Sequence, residues 1–422
     1  MEKHYNSFFD ETYYTETLDN GLRIVDFYKP EFLTSVCAFG TPYGALDIFQ
    51  KYGNKHYSFD PGIAHFLEHK LFESKGDDIM NAFSAMGANV NAFTSYRETV
   101  YYFSKNGEDI KDSLELLLDF VQSLNISEES VEKEKGIIDQ EISMYAQMPD
   151  TKLLNEAYKA LYHHFPIRYD IGGDRKSIYA ISKDELEKCY MINYHPSNMA
   201  IVISSPIKPA KIFSIIRNNQ KKKSFTKKAT PKPDNKIESI ETVRKRHIFK
   251  ADVSTAKHLL AYKFKPDFKD AKEAFRKEWA LRFLMEAHFS YLNPEYQKWL
   301  DEKIINDYFG YEIEFDMDCA YLMFYIENDD SRILKKLIKE SLRKKLLDED
   351  MLEQIKRRYI GSMFDVFNDI ESFNNGYIRD YLGGLDYFEA FDELKSITLK
   401  DVEKVYESLD FSHYSYVSMI KK

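Results

Sequence analysis

Three segments of this 422-residue chain recur in the same order at nearly the same spacing. RETVYYFSKNGEDIKDSLELLLDF, from Arg97, reads as an alternating strand, a polar turn and an amphipathic helix; CAYLMFYIENDDSRILKKLIKESL, from Cys319, repeats that pattern at an offset of 222 between Tyr102 and Phe324. SEESVEKEKGIIDQEISMY from Ser127 pairs with DEDMLEQIKRRYIGSMFDV from Asp348 at an offset of 221. ISKDELEKCY at 181 pairs with ITLKDVEKVY at 397, each with a Ser or Thr cap and an acid three residues later. Order kept at near-constant offset implies a duplicated domain. Strands that follow one another directly, as in GANVNAFTSYRETVYYF from Gly87, favour antiparallel pairing. The expected fold is therefore α+β: two homologous domains, each a largely antiparallel or mixed sheet with helices packed on one face.

The Lys- and Pro-rich stretch NNQKKKSFTKKATPKPDNK divides the chain almost in half and has no apolar periodicity. It suggests a first domain over 1–217, a linker over 218–240 and a second domain over 241–422. With 59 Lys and Arg against 69 Asp and Glu, the net charge of −10 disfavours a nucleic-acid partner. No apolar run reaches transmembrane length, and the start MEKHYNSFFDETYY lacks the basic and apolar regions of a secretory signal. The expectation is a cytoplasmic protein without a membrane partner. Cys37, Cys189 and Cys319 are far apart and form no CxxC, so neither a disulfide framework nor a thiolate metal site is suggested.

One stretch of the first half carries chemistry. FDPGIAHFLEHKLFESKG reads as a helix with Asp60 as N-cap, Pro61 at the first position and Gly76 as a stop signal. His65 and His69 then stack one turn apart with Glu68 beside them, while Ile63, Phe66, Leu67 and Leu71 cover the rest. Two imidazoles and a carboxylate in apolar surroundings are costly unless something satisfies them, and a zinc ion would. The order H-x-x-E-H is that of inverzincins. A third ligand is available from SEESVEKEKGIIDQEISMYAQMPD, where Glu134 and Glu141 are two turns apart on one face. In the second half Glu134 falls on Ile355 and Glu141 on Ser362, and LRFLMEAHFSYL from Leu281 has no H-x-x-E-H. The metal-type residues are missing there as a group, as expected of residues that form one site.

With these motifs the chain resembles the insulinase/pitrilysin family of zinc peptidases, in its short bacterial branch similar to mitochondrial processing peptidase. LDNGLRIVDFYKP, EKGIIDQEISMY, IGGDRKSI and NYHPSNMAIVIS are further landmarks in family order. The resemblance implies His65, His69 and Glu141 as zinc ligands, Glu68 as general base and Glu134 as an auxiliary acid of the same helix. It implies that Asn91, Ala92, Phe93 and Thr94 lie in an edge strand that receives the peptide by β-augmentation. The implied activity is a zinc-dependent endopeptidase acting on short or unstructured peptides in an enclosed chamber, in precursor processing or in general degradation. The family also includes silent core subunits, which makes a non-catalytic or regulatory subunit the alternative. Active members hold the substrate carbonyl with an Arg and a Tyr from a later domain or a partner. LDEKIINDYFGYEIEF, from Leu300, has Tyr308 and Tyr311 but no arginine, which implies a homologous second subunit, as a heterodimer or else a homodimer. Arg379 and Tyr381 are the other pair of that type.

Overall fold

The computed structural model describes residues 1–74, 77–225 and 230–422. The proposed stop at Gly76 and residues 226–229 of the expected linker lie outside the described residues.

Two compact units are present. The first contains a seven-stranded sheet in the spatial order Glu2–Asn6, Glu11–Thr17, Arg23–Tyr28, Ala200–Ser205, Thr34–Thr41, Thr99–Asn106, Ala88–Thr94. Only the Arg23–Tyr28 and Ala200–Ser205 pair is parallel. The central strands TSVCAFGT and AIVISS are almost continuously buried because both faces of the sheet are covered there. Cys37, Phe39, Ile201 and Ile203 face a core completed by Leu67, Leu114, Leu186 and Ile212 from helices.

The second unit contains a five-stranded sheet in the order Arg246–Ala251, Tyr414–Lys421, Lys257–Phe264, Ala320–Glu327, Gly310–Phe315. Its first pair is parallel and the others antiparallel, so it repeats the last five strands of the first sheet in order and sense. Even the central ladder matches. Thr99 to Asn106 pairs with Thr41 to Thr34, as Ala320 to Glu327 pairs with Phe264 to Lys257. Duplication in sequence is thus duplication in topology.

The units interleave along the chain. Residues 364–384 belong to the first and 144–168 to the second, so the ranges 1–217 and 241–422 mark the repeated halves of the sequence and not continuous bodies. Each sheet has, in addition to the helices on its first face, a helix on its second face from the opposite half. In the first unit this is Ile370–Leu382. Phe27 packs edge-on against Phe373 and Tyr377, with ring centroids 4.7 and 5.0 Å away. The helix seats closely because Gly40 has no side chain: a Cβ there would lie 2.8 Å from Leu382 Cδ1. In the second unit Pro149–Leu161 plays this part, with Tyr158 and Tyr321 hydroxyls 2.9 Å apart and Lys263 Nζ donating to the Leu161 carbonyl at 2.9 Å.

The expected linker is partly ordered into the first unit. Residues up to Lys221 finish the Pro209–Lys221 helix, and Lys232–Pro233 pairs with Phe49–Tyr52 as a third strand of a small sheet. Backbone pairing outcompetes solvation there, and the Asp234 carboxylate lies within hydrogen-bond distance of His56 Nδ1, at 2.6 Å.

Asn374 fixes the exchanged helix. It is fully buried, donates to the carbonyls of Val36 and Val202 at 2.9 and 3.3 Å, and accepts from the Ser204 hydroxyl. Replacing it with alanine strands these groups, and an unsatisfied buried polar group costs about 1–3 kcal/mol. Asn374→Ala is expected to lower the unfolding free energy by that amount, read in urea titrations as a lower midpoint with an unchanged m-value.

Candidate metal centre

The Ile63–Leu71 helix starts later than the sequence pattern implies. Its N-cap is Gly62 in the left-handed region at φ 92°, not Asp60, and Pro61 precedes the helix. The reason is a close passage of two backbones. The IGGD turn at Gly172 and Gly173 presses on Pro61 and Gly62, where a Cβ on Gly62 would lie 2.5 Å from the Gly172 carbonyl oxygen. Only glycine fits that approach at that φ. The start is further held by Glu185, whose carboxylate accepts from the Asp60 N–H at 3.0 Å. Glu185 therefore does not complete a capping box with Ser182, whereas Thr398 and Asp401 form both halves of theirs.

Ile63, Phe66, Leu67 and Leu71 are buried, which leaves His65, Glu68 and His69 on the helix's remaining face. The two imidazoles have centroids 4.6 Å apart. Glu141, on the Glu128–Tyr145 helix, faces both. Its oxygens lie 3.8 Å from His65 Nε2 and 3.4 Å from His69 Nε2. Glu134, two turns earlier, meets the other nitrogen of His69, Nδ1, at 3.1 Å. Among the described residues, His65, His69 and Glu141 are the group of His, Cys, Asp or Glu side chains whose donor atoms converge, all within 4.8 Å of one another. Ligands bonded at about 2.1 Å around a tetrahedral ion stand about 3.4 Å apart. Two imidazole nitrogens and a carboxylate at these separations fit zinc.

Burial, and then the neighbouring His69, push the His65 pKa down to about 4, so its imidazole is neutral and able to bind metal across the physiological range. For His69 burial acts downward, but its hydrogen bond to Glu134 and the charges of Glu68, Glu134 and Glu141 outweigh it and raise the pKa. Burial raises Glu68 despite the hydrogen bond it accepts from the Thr94 hydroxyl. Glu134 is also desolvated, yet His69 and Lys70 hold it below the usual carboxylate range.

The residues Asn91 to Thr94 lie in Ala88–Thr94, an edge strand of the first sheet. Alternation splits them. Ala92 and Thr94 face the His65 helix, and Asn91 and Phe93 the opposite face. On that far face the Arg379 guanidinium lies 5.5 Å from the Phe93 ring and donates to Glu98 at 3.1 Å, so Arg379 is turned away from the imidazole pair. In the second unit the Tyr311 hydroxyl donates to Glu286 at 2.8 Å, and Lys257 Nζ sits 3.4 Å over the Tyr308 ring. There Arg358 pairs with Glu286, Ile355 is core, and Ser362 donates to the Tyr359 carbonyl. A core isoleucine and an exposed serine thus stand where the first unit has Glu134 and Glu141.

Sequence reasoning missed Lys70. Its side chain is fully buried and it occupies the apolar stripe of the helix with Phe66 and Leu67. A lysine at a core position was the available signal.

A duplicated α+β architecture in which, among the described residues, the first copy alone carries a convergent His–His–Glu set defines the class of this protein. Residues 55–175 match the family described as Insulinase (Peptidase family M16), and residues 180–359 match the Peptidase M16 inactive domain. The chain belongs to the insulinase family. It is 35% identical over 399 residues to the zinc protease YmfH of Bacillus subtilis, covering 94% of this chain and 93% of that one. An M16-like peptidase structure from Alicyclobacillus acidocaldarius superposes with a TM-score of 0.92 at 29% identity, covering 98% and 99% of the two chains. A protease from Helicobacter pylori shares the fold, with a TM-score of 0.80 at 18% identity over 97% and 99%. No helix among the described residues is long and apolar enough to cross a membrane.

The depressed His65 pKa has a thermodynamic consequence. In metal-free protein the unfolded chain takes up a proton near pH 6.5 that the folded chain refuses until about 4. The contribution of His65 to stability is therefore full above 6.5 and lost as pH falls through that window. Urea titrations of chelator-treated protein between pH 4 and 7 are expected to show a shallower pH slope for His65→Gln than for wild type.

Proposed function

We propose that this chain is a zinc-dependent endopeptidase. The observation that carries the reading is the convergence of His65 Nε2, His69 Nε2 and a Glu141 oxygen beside the half-buried Glu68. Three protein ligands leave a fourth position for water or substrate, which is the arrangement of a catalytic and not a structural zinc site. When bound there, zinc supplies a Lewis acid that polarises a peptide carbonyl and makes water acidic enough to attack near neutral pH.

The remaining work falls to the chain's own side chains. His65 and His69 each offer Nε2 to the metal, and Glu134 keeps the His69 ring oriented through Nδ1. Glu68, held by the Thr94 hydroxyl, takes the proton from the attacking water and returns it to the leaving amine. The peptide adds as a strand along Ala88–Thr94, where the Ala92 N–H now donates to the Asn91 side chain at 2.9 Å and would instead meet a substrate carbonyl. A substrate that pairs in this way must be extended, so short or unstructured peptides are the substrate class, including a small peptide precursor.

A homologous second subunit completes the site in this reading. The segment around Tyr308 and Tyr311 offers no arginine for the substrate carbonyl, both tyrosines are engaged within their own unit, and Arg379 is committed to Glu98.

Cleavage of a quenched unstructured peptide is expected from the chain mixed with its homologous partner and to cease with a chelator. Glu68→Gln is expected to keep one zinc per chain and to lose at least about a hundredfold in turnover, since removing a general base costs about 10²–10⁴. Turnover retained by that variant would exclude Glu68 as the base. Full activity of the isolated chain would exclude the missing-partner reading.

A further inference from the structure

Beside the proposed ligands lies a charge that their chemistry does not require. Lys70 follows His69 directly, and its side chain has no exposed surface. An ammonium so buried is tolerated only when it is paired. Two hydrogen bonds and a carboxylate in ion-pair range surround it. Lys70 Nζ pairs with Glu73, donates to the Ser130 carbonyl at 3.2 Å, and lies 3.6 Å from the Glu134 oxygen that does not touch His69. Glu73 in turn accepts from the Ser130 hydroxyl at 2.9 Å. Of these partners, Ser130 and Glu134 lie on the same helix as Glu141.

This arrangement does two things at once. Glu134 is flanked on both sides, with one oxygen on His69 Nδ1 and the other toward the Lys70 ammonium, which favours the rotamer that meets the imidazole. The Ser130 contact ties the Glu128–Tyr145 helix to the His65 helix about three turns before Glu141. Glu68, Glu134 and Glu141 are three acids around two imidazoles, and Lys70 is the lysine or arginine that forms an ion pair with one of them among the described residues.

Resting on the metal centre proposed above, the geometry points to Lys70 as a positioning residue of that centre: a buried ammonium that, through Glu134, orients His69 before any metal arrives. A tie through Ser130 alone would weaken zinc binding by the same factor with or without the Glu134 carboxylate, whereas action through Glu134 vanishes once that carboxylate is gone.

The test compares zinc affinity of wild type, Lys70→Met, Lys70→Gln, Glu134→Gln and the Lys70→Met/Glu134→Gln double variant. Each full chain is stripped of metal, checked by circular dichroism, and titrated with zinc against a chromophoric chelator. Lys70→Gln can still donate to the Ser130 carbonyl and serves if Lys70→Met does not fold. Both Lys70 variants are expected to bind zinc about 10–100-fold more weakly, the usual effect of removing an outer-shell partner. The double variant is expected to be no weaker than Glu134→Gln alone within about threefold, because Lys70 acts through that carboxylate. Folded Lys70 variants with wild-type affinity and only a lower Tm would overturn the inference. So would a double variant whose loss is the product of the two single losses. Wild type that takes up no zinc would instead overturn the metal centre itself, and the inference with it.

Discussion

The packing of one short helix against one long one is the constraint on which the site depends. Ile63–Leu71 and Glu128–Tyr145 bring two imidazoles, three carboxylates and an ammonium together at the edge of a core that includes Phe66, Leu67 and Ile138. Each of these groups loses water on folding, and none would be tolerated alone. They are tolerated together because they satisfy one another in pairs: Glu68 with Thr94, Glu134 with His69 and Lys70, and Lys70 with Glu73. His65 Nε2, His69 Nε2 and Glu141 remain facing a common point, and a divalent cation is the partner that suits such a set.

Backbone contact sets where that helix lies. At Gly62 and Gly173 two chain segments pass closer than any side chain would allow, and Glu185 secures the Asp60 amide from a third segment. The imidazoles are thereby placed by a loop and a helix more than a hundred residues away. The same economy of side chains recurs at Gly40, where its absence of a Cβ lets Ile370–Leu382 lie against the first sheet and Asn374 reach the carbonyls of two strands.

Much of the site is legible from residue order. The spacing of His65, Glu68 and His69 and the seven-residue step from Glu134 to Glu141 are helical arithmetic, and arithmetic of that kind survives folding. What spacing cannot convey is which oxygen meets which nitrogen. Glu134 and Glu141 share a helix face, yet one meets Nδ1 of His69 and the other Nε2, a division set by how the two helices cross. Lys70 reads as an ordinary charged residue until its burial is known. Thr94 reads as one of four strand residues until alternation turns it, with Ala92, toward the helix and leaves Asn91 and Phe93 behind the sheet. Asp60 reads as a cap because Asp before Pro is a good one; the left-handed Gly62 displaces it for reasons that lie at residue 172.

By itself the sequence determined that the chain is a duplicated α+β protein with one set of metal-type residues in its first half. Repeat offsets and helical periodicity are local properties and need no knowledge of packing. The tertiary structure alone decided that each unit takes one helix from the opposite half of the chain, and that Lys70 reaches Glu134. Each depends on which faces meet, and the pairs Asn374 with Val36 and Lys70 with Ser130 join residues 338 and 60 positions apart. A contact over that distance is chosen by burial and hydrogen-bond satisfaction in the folded molecule, which a linear pattern does not encode.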